Sequence, residues 1–223
     1  MDQYLTTRSA TAADGQRERT FTETARRAQI VAAAIDTIAE LGYAGASLAR
    51  IAGRAGISKG VIAYHFAGKE DLVNELIAEV LIEAEAYIRP RVTAESSGSG
   101  RLRACIEANL AFMREHRNHL IAIAEIAGSA RAGSGDRLFD SSVLEAGVTA
   151  LSQLLAQFQG TGEFRADFDP HVMAVAIRSA IDAVPRRLAR DPGLDIDHYG
   201  RELADLFDLA TRNERGHASG PGT

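Results

Sequence analysis

Five residues within one eight-residue stretch carry side chains or backbone suited to binding a nucleic acid: Ser58, Lys59, Gly60, Tyr64 and His65. They offer hydroxyl and imidazole hydrogen-bond donors, one cation, and a glycine that lets another molecule approach the backbone. On a short helix these residues would occupy its outer and leading side. A helix in the major groove of DNA uses that side to contact phosphate oxygens and base edges.

Residues 47–72 have the spacing of a helix-turn-helix that would hold this stretch in place. Gly56 supplies a turn position with positive φ, and Ser58 caps the second helix. Ala52 is small, as two helices that cross closely at a steep angle require. An ordinary helical hairpin with a glycine turn is the alternative interpretation. The residues expected to face inward are Leu48, Ile51, Ala52 and Ala55 on the first helix, and Val61 or Ile62 with Phe66 on the second.

The same residues resemble the N-terminal domain of the TetR family of transcriptional regulators, from about Arg26 to Val73. At Ala63 the chain departs from the pattern, because the family usually has the first of two aromatics there. One common contact to a phosphate or base is therefore missing or made by another residue. The shared pattern comprises Ser47, Ile51-Ala52, Ala55-Gly56-Ile57-Ser58, Gly60, Tyr64-His65-Phe66 and Lys69-Glu70-x-Leu72.

The resemblance implies that this segment binds double-stranded DNA. Lys59 would suit a guanine, and the methyl groups of Val61 would suit a thymine methyl. Two residues keep structural alternatives: Tyr64 as a core aromatic with an exposed hydroxyl, and His65 as a C-terminal helix cap. The implied phosphate contacts are Ser47, Tyr64, His65 and Lys69, and the implied base contacts are Ser58, Lys59, Gly60 and Val61.

The charge of the chain is distributed unevenly. Its 223 residues carry a net charge of -5, yet residues 1–70 hold an excess of two positive charges. Both lysines of the chain, Lys59 and Lys69, fall in that segment. The N-terminus lacks the apolar stretch of a signal peptide, and no apolar run is long enough for a transmembrane helix, so a cytoplasmic location is expected. Cys105 stands alone, which excludes an internal disulfide and fits a reducing compartment.

The periodicity predicts an all-α protein without strands. Helix one should run from Thr22 to Leu41 and end at Gly42 in the left-handed conformation, with Ile30, Val31, Ala34, Ile35 and Ile38 facing inward. Residues 1–20 should form a flexible N-terminal arm, in which Arg8, Arg17 and Arg19 either reach a minor groove or are simply solvated. The predicted domains are a helix-turn-helix domain over 21–68, a helical domain over 69–213 and a disordered tail over 214–223.

The helical domain should begin with a linking helix over residues 69–90, followed by a flexible loop over 93–100. Asp169-Pro170 is a typical helix start, and Pro185 should kink or end the helix that follows. The remaining helices are predicted over 101–116, 118–131, 137–158 and 197–212.

The resemblance gives this domain two tasks, dimerisation and the binding of a small-molecule effector. In TetR-like proteins the last two helices form a four-helix bundle with their copies, which here implies residues 170–190 and 197–212. A homodimer holds two recognition helices at the spacing that a palindromic operator requires. The candidate interface residues are Val175, Ile181, Val184, Leu203, Leu206 and Phe207, some of which must serve the subunit's own core.

The effector site is expected among apolar residues of the central helices, which points to a mostly apolar ligand. Apolar residues at helical spacing are more often plain core, and that alternative stays open. The candidate ligand-binding residues are Phe112, Met113, Ile123, Phe139, Leu151, Leu155, Phe158 and Asp182. Polar groups of interest nearby are Asn109, His119, Glu125, Gln157 and Arg178.

An enzyme is not expected, because the chain has no HExxH, P-loop, GxSxG or strand-linked GxGxxG motif. His116 and His119, with Glu115 and Glu125, could imitate the spacing of metal ligands. Solvated side chains at a charged helix junction are the commoner explanation, so neither a metal nor a cofactor is expected. The predicted function is a ligand-responsive transcriptional regulator, most simply a homodimeric repressor released from its operator. The alternative is a helical enzyme or interaction protein with a vestigial helix-turn-helix.

Overall fold

The computed structural model describes the backbone of residues 3–132, 141–191 and 193–213. Side chains are described within these ranges except at residues 3–21, 130–132, 141–144, 186, 189 and 190. The described elements are α-helices, joined by short turns, with one isolated β-bridge between Phe164 and Arg212. The predicted all-α fold is confirmed. Among the described residues, no helix has an apolar stretch long enough to cross a bilayer.

The chain divides into two compact units, Met1–Ala78 and Glu79–Thr223. The first unit contains α1 (Gln3–Gly45), α2 (Leu48–Ala55), α3 (Lys59–His65) and the beginning of α4 (Lys69–Ala94). The predicted inner stripe of the first helix is buried, because those residues recur on one helix face and α1 packs against α2. The core of this unit includes Ile30, Val31, Ala34, Ile35, Ile38, Ile51, Ala52, Ile62, Phe66, Leu72, Val73 and Leu76.

Helix α1 is longer at both ends than predicted. It begins at Gln3, so the predicted arm over residues 1–20 is helical from Gln3 onward. That segment contains no proline and several alanines, so nothing in it ends a helix that has already formed. At Gly42 the chain kinks with φ 71° and ψ 164°, and helical structure then resumes to Gly45. The predicted positive φ is present, but this ψ is not that of the left-handed helical conformation.

The second unit contains the rest of α4 and helices α5 (Gly98–Glu115), α6 (Arg117–Ala132), α7 (Ser141–Gly160), α8 (Pro170–Asp182), α9 (Val184–Arg190) and α10 (Ile196–Thr211). Asp169 caps α8 as predicted, since its Oδ1 accepts from the amides of His171 at 2.8 Å and Val172 at 3.0 Å. The break between α8 and α9 falls beside Pro185, also as predicted. The core of the unit is formed mainly by Leu102, Ile106, Leu110, Met113, Leu151, Leu155, Phe158, Phe164, Ile177, Ile181, Leu203 and Phe207.

The junction between α4 and α5 differs from the prediction. Helix α4 continues past Pro90 to Ala94, and near its end the Thr93 hydroxyl donates to the carbonyls of Arg89 at 3.0 Å and Pro90 at 3.2 Å. The predicted loop over 93–100 is mostly helical, because Ser97 caps α5 by accepting from the Gly100 amide at 3.0 Å. A sequence rich in serine and glycine therefore encodes a helix start here rather than a flexible loop.

Candidate nucleic-acid interface

Helices α2 and α3 form a helix-turn-helix with a three-residue link. Ser47 caps α2, and its Oγ accepts from the Arg50 amide at 3.3 Å. Gly56 ends α2 in the left-handed conformation, with φ 67° and ψ 29°, and its surroundings are open, since a Cβ added there would meet no atom within 4 Å. Ser58 caps α3, and its Oγ accepts from the Val61 amide at 3.4 Å. Each polar residue predicted to shape this motif takes the expected position.

The inner face of the motif anchors α3 to the unit. Ile51 and Ala52 of α2 are buried, as are Ile62 and Phe66 at α3 and its C-cap. Of the two candidates for the buried position on α3, Ile62 is fully buried and Val61 is only half-buried. Val61 therefore keeps part of its surface free on the side of α3 that faces away from the core.

The outer face of α3 is formed by residues that do not pack against the protein. Ser58, Lys59 and Gly60 are exposed, and the side chain of Tyr64 is 79% exposed. Because Tyr64 lies outside the core, its alternative role as a core aromatic is wrong. We call the set Ser58, Lys59, Gly60, Val61 and Tyr64 the α3 outer face.

Gly60 is not required by the protein's own packing. A Cβ at this position would meet only the Ser58 Oγ, at 3.6 Å, which is an ordinary contact. The backbone here is helical, and glycine is a poor helix former. The packing of the protein itself therefore gives no reason for a glycine at this exposed helical position.

His65 contributes to the motif through both its backbone and its ring. Its carbonyl accepts a 2.7 Å hydrogen bond from Arg27 Nη1, and its ring meets the Tyr64 ring edge-on at 5.0 Å. The ring Nδ1 is buried and has no hydrogen-bond partner among the described residues. An unpaired buried N–H is unfavourable, so we expect the proton on Nε2, which would then be the donor that the ring offers.

Lys69 is held at the start of α4 by Tyr43. Its Nζ donates to the Tyr43 carbonyl and lies 4.0 Å from the centre of the Tyr43 ring. Burial lowers the pKa of the Lys69 ammonium from its ordinary value. An ammonium has three N–H donors, so these contacts leave it able to reach a phosphate as well.

Two residues of α1 that the sequence analysis did not single out position the motif. Arg27 bonds the His65 carbonyl, lies 4.5 Å from the centre of the Phe66 ring, and pairs with Glu75 of α4 at 3.1 Å. Gln29 Nε2 donates to the Ala55 carbonyl at 2.9 Å and so satisfies the C-terminus of α2. These bonds link residues 38 and 26 positions apart, and no local pattern signals them.

A comparison with known protein families agrees with the helix-turn-helix geometry of α2 and α3. The family model for bacterial regulatory proteins of the tetR family matches residues 30–76, which include α2 and α3 in full. This segment of the chain belongs to the tetR family. The match ends within the first turns of α4 and does not include the rest of the chain.

Curated relatives resemble part of this chain. The HTH-type transcriptional regulator BetI of Stenotrophomonas maltophilia is 39% identical over 88 residues, which is 39% of this chain and 45% of the relative. BetI 1 of Chromohalobacter salexigens is 38% identical over 85 residues, covering 38% of this chain and 42% of the relative. The chain thus matches less than half the length of these relatives.

A solved structure extends the likeness to the second unit. The transcriptional regulator FadR of Bacillus subtilis, determined in complex with stearoyl-CoA, superimposes with a TM-score of 0.71. The match covers 80% of this chain and 95% of FadR at 22% identity. At that identity the likeness establishes the fold of the chain and leaves its ligand open.

The candidate effector residues occupy two kinds of position in the second unit. Ile123 is half-buried, and Asp182 pairs with Arg178, which also donates to Asn109 Oδ1 at 3.2 Å. Phe139 lies outside the described residues. The remaining candidates are packed in the interior, as the plain-core alternative expects: Phe112, Met113, Leu151, Leu155 and Phe158.

The polar residues beside this core form a connected cluster. Arg178 pairs with Asp182 at 2.8 Å, and Asn109 Nδ2 donates to the Cys105 carbonyl at 2.7 Å. Burial raises the pKa of the Cys105 thiol, while the nearby Arg178 guanidinium lowers it to a smaller degree. A separate surface groove of about 230 Å³ between α5 and α10 involves none of the candidate effector residues.

The candidate interface residues separate into buried and exposed sets. Leu206 is 58% exposed and Val175 is 42% exposed, so both are available to a partner. Val172 on α8 and Leu209 on α10 are exposed too, although the sequence analysis did not name them. The other candidates belong to the subunit's own core: Ile181, Val184, Leu203 and Phe207.

Proposed function

We propose that this chain is a sequence-specific, DNA-binding transcriptional regulator that reads its operator with the α3 outer face. The observation that carries the proposal is the exposure of Lys59, Gly60 and Tyr64 on a helix whose opposite face, through Ile62, is buried. A recognition helix must be fixed on one side and free on the other. The match of residues 30–76 to the TetR family supports the same function.

Each contact is assigned by its chemistry. Lys59 and Val61 read base edges, where an ammonium suits guanine and a methyl group suits thymine. Tyr64 and the Nε2 of His65 donate to phosphate oxygens, which position the helix without selecting a sequence. Ser47 and Lys69 bind phosphates from the starts of α2 and α4. Ser58 and Gly60 lie at the start of α3, where a small residue lets the backbone approach the bases.

The regulator acts as a homodimer on a palindromic operator. Val172 and Val175 on α8, and Leu206 and Leu209 on α10, are large apolar residues that a single chain leaves in water. Burying them against the same residues of a second copy would give the symmetric interface that a two-fold operator requires. The bundle formed by the corresponding helices in TetR-like proteins supports this assignment.

A small molecule releases the protein from DNA, which makes it a repressor. Most of the described candidate effector residues belong to an apolar core, and Asp182 pairs with Arg178 beside it, so the effector is mostly apolar with one polar group. FadR of Bacillus subtilis, with stearoyl-CoA, has the same fold and supports an effector of this kind. Effector binding need favour the released state by only ~2–3 kcal/mol to shift most of the population.

The test is selection of bound duplexes from a random DNA pool by wild type, Lys59→Ala and Arg89→Ala. Arg89 provides a matched control, because its side chain is 70% exposed and lies in the second unit. Wild type and Arg89→Ala should enrich one palindrome, and Lys59→Ala should weaken or alter that enrichment. Binding to the selected duplex should also fall steeply with salt, since several phosphate contacts release counterions.

Failure to enrich any sequence would contradict the proposal, provided that the protein is folded and free of bound effector. Mass spectrometry of the denatured sample detects a co-purified effector that holds the protein in its released state. If the sample is clean and the protein still shows no salt-dependent DNA binding, a helical interaction protein becomes the better assignment.

A further inference from the structure

Two histidines and a glutamate come together in the second unit. Glu83 lies on α4, His116 caps the C-terminus of α5, and His119 lies in the first turn of α6. One ligand atom from each residue lies within 4.8 Å of those from the other two. His119 Nε2 and the Glu83 carboxylate are 3.3 Å apart.

The donor set matches the preference of a divalent transition metal. Zn²⁺ binds imidazole nitrogen and carboxylate oxygen at about 2.0–2.2 Å, so two ligand atoms of a tetrahedral site lie about 3.3 Å apart. The His119–Glu83 pair already has that separation. The ligand atom of His116 lies within 4.8 Å of the other two, so small rotations of the His116 ring and of the half-exposed Glu83 side chain have to draw the three atoms together by roughly an ångström.

The two histidines are held by their surroundings. The His116 ring stacks on the Phe112 ring at 4.3 Å and 21°, and the Tyr87 ring meets it edge-on at 6.4 Å. The His119 amide donates to the His116 carbonyl at 3.0 Å, which fixes the spacing of the two residues across the α5–α6 junction. Their rings meet edge-on at 5.1 Å. Ligands restrained in this way lose less conformational freedom when a metal binds.

The two glutamates that lie near these histidines in sequence, Glu115 and Glu125, do not belong to the histidine cluster. Glu115 accepts from the Tyr87 hydroxyl at 2.9 Å and pairs with Arg114 at 3.1 Å. Glu125, the other candidate, is exposed and lies outside the cluster. Glu83, more than thirty residues earlier, completes the cluster instead.

We propose that Glu83, His116 and His119 bind one divalent transition-metal ion, of the class represented by Zn²⁺ and Co²⁺. Three protein ligands leave a coordination position for water or for a donor atom of a small molecule. The ion ties α4 to the α5–α6 junction within the second unit. This site is independent of the proposed DNA contacts, so its test does not depend on them.

The test is titration of the full-length, untagged, chelator-treated protein with Zn²⁺ alone and with Co²⁺ alone. Calorimetry should give one Zn²⁺ per chain, and Co²⁺ should develop the visible absorption of a low-symmetry site with nitrogen ligands. The melting temperature should rise with Zn²⁺ concentration, because the ion binds the folded chain preferentially.

Three variants assign the ligands, and one serves as a matched control. His116→Gln, His119→Gln and Glu83→Gln should each weaken Zn²⁺ binding by about tenfold or more. His198→Gln is the control, because His198 also faces a glutamate, Glu202 at 4.0 Å, in an exposed pair on α10. It should bind Zn²⁺ as wild type does.

Glu83→Gln keeps the test valid if a histidine variant fails to fold, because its side chain is half-exposed and it retains the same shape. The proposal is overturned if wild type takes up no more Zn²⁺ than Glu83→Gln. It is equally overturned if His198→Gln loses as much affinity as the three ligand variants do.

Discussion

Gly98 lies so close to Phe158 that a Cβ on the glycine would stand 2.6 Å from the Phe158 Cγ. The amide of Gly98 also donates to Glu163 Oε2 at 2.7 Å, so the first residue of α5 is fixed against the end of α7. The close approach depends on a missing side chain in a segment whose composition suggests a flexible loop.

Gly98→Ala should therefore destabilise the protein by about 1–3 kcal/mol, because the added methyl group displaces a buried ring. Denaturant unfolding measures the change. Gly147→Ala on α7 is the control, since nothing lies within 4 Å of its Cβ position. It should leave stability unchanged or raise it by about 0.5–1 kcal/mol, as removing a helical glycine does. Equal effects of the two substitutions would contradict the close packing.

Gly60→Ala should separate stability from DNA binding. The protein has room for the methyl group, so the free energy of unfolding should rise by up to about 1 kcal/mol. The same methyl group would stand between α3 and a bound duplex, so the affinity for DNA should fall. Thermal unfolding and fluorescence anisotropy on the selected operator measure the two effects. Gly128→Ala on α6 has similarly open surroundings and should change stability alone. If Gly60→Ala binds DNA as tightly as wild type, the backbone of α3 does not approach the duplex closely.

Leu206→Glu combined with Leu209→Glu should convert a dimer into a folded monomer. Both side chains are more than half exposed in the single chain, so the charges cost little in the monomer and are buried only in the dimer. Sedimentation equilibrium gives the mass, and circular dichroism checks the helical content. Ile82→Glu is the control, because Ile82 is 68% exposed on α4. A double variant that remains dimeric would place the interface elsewhere.

Asp195→Asn should remove a pH-dependent part of the stability. The amide of His198 donates to Asp195 Oδ1 at 2.9 Å, and this bond lowers the pKa of the carboxyl. A carboxyl whose pKa is lower in the folded than in the unfolded protein stabilises the fold at pH values above its unfolded pKa, which is about 3.9 for aspartate. That stabilisation is lost as the pH falls through the pKa of the folded state. Asparagine keeps the cap without the charge.

The difference in unfolding free energy between wild type and Asp195→Asn should thus be largest near neutral pH and shrink below about pH 4. Urea unfolding at several pH values measures it. A difference that stays constant across that range would mean that the charge of Asp195 does not contribute to capping α10.

Local spacing was enough to predict the helix-turn-helix and the inner stripe of α1. Gly56, Ser58 and the Ile30–Ile38 pattern act within one or two helical turns, so their effect can be read without knowing the fold. Helix ends were less predictable where a tertiary contact decides them. The start of α5 depends on Phe158, which is 60 residues away and invisible to a local pattern.

The candidate nucleic-acid interface could likewise be predicted only where local spacing determines it. The outer residues of α3 could be identified in sequence, whereas the support from Arg27 and Gln29 arises only when α1 packs beside α2 and α3. The choice between Val61 and Ile62 also needed the structure, because adjacent positions on a short helix both approach its buried side. The effector residues remain predictions, since a ligand site and a core draw on the same apolar residues.

Cys105 is half-buried on α5 and can report on the opening of the second unit. The chain has a single thiol, and its raised pKa and surroundings slow its reaction with alkylating reagents while the helices stay closed. Each transient separation of the helices around it exposes the sulfur and permits irreversible labelling. The rate of Cys105 labelling thus measures the frequency of local unfolding. An effector bound beside Arg178 should lower that rate, and the experiment needs no engineered probe.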